Sequence, residues 1–82
     1  MAFTETEVFM DAIGNRTFGC YLLEADGSDT TFKAPVGQID AAWMQTRTAA
    51  ATGSLSWSGN TITFTSAYDD GDYLYIFFVG TP

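Results

Sequence analysis

Eighty-two residues with ten acids, three cations, no histidine and a formal charge of −7 leave room for one domain. They also repel phosphate backbones and anionic lipid, so direct binding to nucleic acid or a membrane surface is not expected. Apolar residues make up 46% and aromatic residues 16% of the chain, enough to offset ordering entropy, which excludes a disordered chain.

A domain of this size buries only roughly 60% of its unfolded surface and usually needs a staple. Cys20 is the single cysteine, so an internal disulfide is excluded, and one thiol without histidine cannot build a zinc cage. Neighbouring subunits remain, and a homo-oligomer is expected. Cys20 itself reads as a small buried hydrophobe, compatible with a reducing compartment. The chain opens "MAFTETEVFMDAIG", acidic where a signal peptide is basic, and no apolar run reaches the length of a membrane span, so a soluble protein is expected.

Residues 1–6 read as an extended N-terminal arm of the single β domain 1–82. Residues 7–13 and 16–24 flank Gly14-Asn15 and predict a hairpin, with Phe18, Cys20 and Leu22 on one face and Tyr21 and Leu23 on the other. Asp26-Gly27 then makes a turn, 29–34 a short strand with Phe32 inward, and Pro35 a stop. In the stretch 38–48, Ile39, Ala42 and Trp43 have helical spacing while Ile39, Ala41 and Trp43 alternate. Helix and strand both fit there; Thr46, Arg47 and Thr48 lean toward strand.

Residues 49–53 form a small-residue loop into the most regular part of the chain, "SLSWSGNTITFTS" at 54–66. Leu55, Trp57, Ile62 and Phe64 alternate with Ser and Thr around Gly59-Asn60, a hairpin pattern in which Gly at the first loop position suits a type II′ turn. Those four apolar residues are expected in the core.

After a turn at Asp69-Asp70-Gly71, residues 73–79 are apolar on both faces, with Tyr73, Tyr75, Phe77 and Val79 on one side and Leu74, Ile76 and Phe78 on the other. Such a strand must be central and covered on both sides, or have one face covered by another chain. Together these segments predict an all-β fold, a small antiparallel sandwich or barrel of six to seven short strands, rich in hairpins.

Chemistry is hard to find. The acids Asp69, Asp70 and Asp72 lack the alternating spacing and later bidentate Glu of a calcium loop, and read as a solvated turn; Asp26 and Asp29 are weaker still. Without histidine the usual base for a Ser or Cys nucleophile is missing, so neither an enzyme nor a cofactor is expected. Aromatic residues are the remaining source of binding. Trp43, Trp57, Tyr68, Tyr73 and Tyr75 could line a sugar platform, although Trp57 reads as core. Tyr73, Tyr75, Phe77 and Val79 are the candidate protein interface, since interfaces enrich Tyr.

The segments "MAFTETEV" (1–8), "GNR" (14–16), "ADG" (25–27), "GQID" (37–40) and "YLYIFFVG" (73–80) together resemble small bacteriophage virion proteins. The resemblance is to capsid decoration, or cement, and other head-associated proteins. It implies a non-enzymatic structural protein of the virion, made in the host bacterial cytoplasm. Such a protein binds the major capsid protein or another virion protein in many copies and stabilises the shell. The high Trp and Phe content and acidic charge depart from that pattern and leave head and tail both open. The alternative is a carbohydrate- or receptor-binding module, possible in a tail component.

Overall fold

The computed structural model describes residues 3–28, 30–47, 55–65 and 69–82. Among these residues seven strands occur in chain order: β1 (Thr4–Ile13), β2 (Arg16–Glu24), β3 (Thr31–Lys33), β4 (Gln38–Thr46), β5 (Leu55–Ser58), β6 (Thr61–Phe64) and β7 (Tyr73–Thr81). No helix occurs among the described residues. All pairings are antiparallel, in a four-stranded sheet of order β1-β2-β7-β4 and a three-stranded sheet of order β3-β6-β5.

Both hairpin turns follow from their sequence. Gly14 and Gly59 have φ of 63° and 60° while no non-Gly residue among the described residues has positive φ, so each Asn that follows is in the ordinary region. This is the type II′ arrangement, whose twist matches that of the paired strands. The stretch 38–48 resolves as strand through Thr46; β4 joins the exposed side of β7, and the ladder it completes there outweighs the helix propensity of Ala, Gln and Met. β3 spans only Thr31–Lys33, while hydrogen bonds in the same register continue beyond both ends, from the Ala34 amide to the Asn60 carbonyl at 2.8 Å and from the Phe64 amide to the Thr30 carbonyl at 2.7 Å.

The sheets pack face to face. Leu23, Leu74, Ile76 and Phe78 of the larger sheet share one buried cluster with Phe32, Ile62 and Phe64 of the smaller, closed at the margins by Phe3, Val36 and Ile39. The Phe32 ring lies 5.4 Å from Tyr21 and 6.3 Å from Phe78, so aromatic contacts join the layers. Gly19 serves this packing, because a Cβ there would overlap the Met10 sulfur and the Phe78 ring. The architecture is an antiparallel two-layer sandwich.

Two expectations need adjustment. Trp57 pairs with Ile62 and so faces the core side, yet it is 40% exposed. β5 is an edge strand, and at an edge a large ring overhangs the layer that would cover it. Of the expected arm at 1–6, Phe3 is buried in the core and Thr4, Glu5 and Thr6 pair with Glu24, Leu23 and Leu22. The loop expected at 49–53, together with Tyr68 and Asp29, lies outside the described residues.

Candidate functional site

Residues opposite each other in an antiparallel pair share a face, so the register assigns the side of the four-stranded sheet that points away from the sandwich. β7 contributes Tyr73, Tyr75, Phe77 and Val79, and β2 contributes Glu24, Leu22, Cys20 and Phe18 opposite them. From β4 come Ala41, Trp43 and Gln45. β1 adds Thr4, Thr6, Phe9, Asp11 and Ile13. The alternate residues Leu74, Ile76 and Phe78 are completely buried. All four residues singled out in the sequence thus lie together on the outer face, each of them half-buried.

What half-buries them is their own layer. Trp43 stacks on Phe77 with centroids 5.6 Å apart and planes 7° from parallel. Phe18 lies 5.8 Å from Trp43 and meets Phe9 edge-on at 5.2 Å, while Tyr75 is 6.5 Å from Phe77. The rings form a band across all four strands. Through its centre runs one cross-strand row, Phe9–Cys20–Phe77–Trp43, in which Cys20 is buried and its thiol pKa is pushed up by that burial.

The exposed large hydrophobics concentrate here. Phe9, Ile13 and Trp43 lie on this face, Val8 is the residue inserted beside Phe9 by a bulge in β1, and only Trp57 lies elsewhere among the described residues. β1 is exposed along nearly its whole length. The signal for Phe9 and Ile13 was present in "VFMDAIG", but without the register their face could not be assigned.

Charge marks the two ends of the face. At one end the Arg16 Nε donates to Asp40 Oδ2 at 2.6 Å. At the other, the Arg47 guanidinium lies 5.5 Å from the Tyr73 ring centroid, a cation–π geometry. Beside it opens a groove of about 430 Å³ lined by Thr4, Thr6, Leu22, Glu24, Arg47 and Tyr73. On the core side of the sheet, the Tyr21 hydroxyl donates to Glu7 at 3.4 Å, and its pKa is pushed up by burial first, then by Glu7 and Glu5.

Of the sugar-platform candidates, Tyr73, Tyr75 and Trp43 meet on this face while Trp57 stands apart in the other sheet. No group of three or more His, Cys, Asp or Glu that could hold a metal ion occurs among the described residues. The arrangement offers apolar and aromatic contact area with a polar, charged margin, which is the anatomy of a protein interface. No protein-family model matches the chain, and no curated protein or solved structure matches it either.

Proposed function

We propose that this chain is a non-enzymatic structural virion protein, resembling a phage capsid decoration protein, that works by protein–protein contact in many copies. The observation that carries the contact role is the aromatic outer face, where Phe9, Ile13 and Trp43 are exposed. Large apolar side chains gathered on one exposed face are what a protein contact site offers. The virion role itself rests on the resemblance of the five segments named above. Repeated over a lattice, a weak contact of this kind gains avidity and adds contact area that resists internal pressure.

Sedimentation of the purified protein with mature and immature capsids tests the reading, with co-pelleting of the major capsid protein and this chain as the expected result. Absence from every virion fraction, together with a strictly monomeric mass, overturns it.

A carbohydrate- or receptor-binding module is the second reading. The groove beside Tyr73 favours it, with two threonine hydroxyls, Glu24 and Arg47 around the apolar floor of Leu22. A glycan screen discriminates: a hit that is lost in Arg47→Ala supports the module, and a blank screen removes it.

A further inference from the structure

We infer that the occupant of the outer face is a second copy of this chain, packed face to face about a two-fold axis that runs along the row Phe9–Cys20–Phe77–Trp43. This rests on the reading of that face as a protein-contact surface and gives it one partner. Any capsid contact then belongs to the dimer's remaining surfaces.

The register supplies the geometry. The row crosses the middle of all four strands, so an axis along it reverses strand direction while keeping each strand opposite its own counterpart. Every feature at one end of the face then meets the feature at the other end of the same strand in the partner copy.

The ends match. On β2, Arg16 begins the strand and Glu24 ends it, so each Arg16 faces a Glu24. On β4, Asp40 lies near the start and Arg47 just beyond the end, so each Asp40 faces an Arg47. On β1, Ile13 is 60% exposed at one end, while Thr4 and Thr6 at the other line the 430 Å³ groove. The most protruding apolar side chain of one copy thus faces the hollow of the other. An isologous contact of this kind satisfies each pair twice and closes on itself.

Charge distribution points to the same partner. The outer face holds two of the three cations, Arg16 and Arg47, against Asp11, Glu24 and Asp40, close to balance. The other described charges are Glu5, Glu7, Asp26, Asp69, Asp70 and Asp72 against Lys33 alone. Among the described residues the charge excess therefore lies off this face, and two copies meet with least repulsion through it.

The area is sufficient. Four strands spaced by about 4.8 Å and about nine residues long give a flat footprint of roughly 550 Å² per copy, so the pair clears the roughly 1,000 Å² expected of a specific interface.

Native mass spectrometry across a dilution series, with circular dichroism to confirm folding, tests the inference. The expected result is a dimer. Ile13→Asp, at an exposed site that leaves the monomer intact, weakens it about tenfold or more, and Trp43→Asp does the same. Glu24→Arg also weakens it by setting Arg against Arg16. The double variant Arg16→Glu with Glu24→Arg self-associates more tightly than either single variant.

A monomer at all concentrations, a ring of three or more copies, or a dimer unaffected by Ile13→Asp and Trp43→Asp overturns the inference. The same variants in capsid sedimentation separate it from the functional reading. A monomer that loses capsid binding on Ile13→Asp overturns the dimer and keeps the contact face, whereas a dimer that pellets with no virion part supports the inference and overturns the virion role.

Discussion

On the inner face of β7, Leu74, Ile76 and Phe78 are sealed against the three-stranded sheet, whereas on the outer face Tyr75 and Phe77 are covered only by neighbours in their own layer. The two faces have similar apolar content. Among the described residues one has a second layer and the other does not, so the inner face supplies the core packing of the domain and the outer face is the one the proposed contact uses. Tyr and Trp on the outer side fit that division, since each carries a polar tip tolerable in water and a large ring usable in a contact.

Phe78→Ala should produce the largest effect, a loss of about 3–5 kcal/mol, comparable with the whole stability expected of so small a domain. Urea unfolding checks it, and a loss no greater than that of Phe77→Ala would erase the distinction between the faces. Gly19→Val comes next at about 2–3 kcal/mol, through overlap with Phe78 and Met10 on the core side; the readout is the denaturation midpoint.

Phe77→Ala sharpens the comparison from the other side. It should cost the isolated domain about 1–2 kcal/mol through the lost Trp43 stack while weakening self-association much more strongly, as read by unfolding and native mass spectrometry on the same sample. Trp57→Ala, at the edge of the smaller sheet, should cost less than about 1 kcal/mol and leave the oligomeric state unchanged. Its removal leaves Trp43 as the sole tryptophan, whose fluorescence then reports burial of the outer face.

The smallest effect is alkaline. Burial raises the pKa of Cys20 on the outer face and, with help from Glu7 and Glu5, that of Tyr21 on the inner. The native state therefore holds both protons more tightly than the unfolded chain. The resulting stability is fully present below the unfolded values, about 8.5 and about 10, and is lost as pH rises through the raised native ones. The melting temperature should fall over that range, and Cys20→Ala with Tyr21→Phe should flatten the decline.

Much of the fold was legible in the chain because strand alternation and Gly-Asn turns are local signals. The hairpins at 14–15 and 59–60, the inward Phe32 and the two-faced strand at 73–79 all came from patterns within a few residues. Trp57 was misplaced because alternation reports which side a residue faces and says nothing of whether a layer extends far enough to cover it. The arm was misplaced for a related reason, since "FTET" carries no sign that Phe3 reaches a core built by residues far along the chain.

Composition and periodicity by themselves determined an all-β domain, its turns and the excess of apolar surface on the last strand, because each depends on residue chemistry at short range. Only the tertiary structure decided which face of that strand was left over. Sheet order and register are non-local: placing β7 between β2 and β4 brought Phe9, Phe18, Trp43 and Phe77 from separate segments into one aromatic band, with charge at its ends, on the face the second layer does not cover.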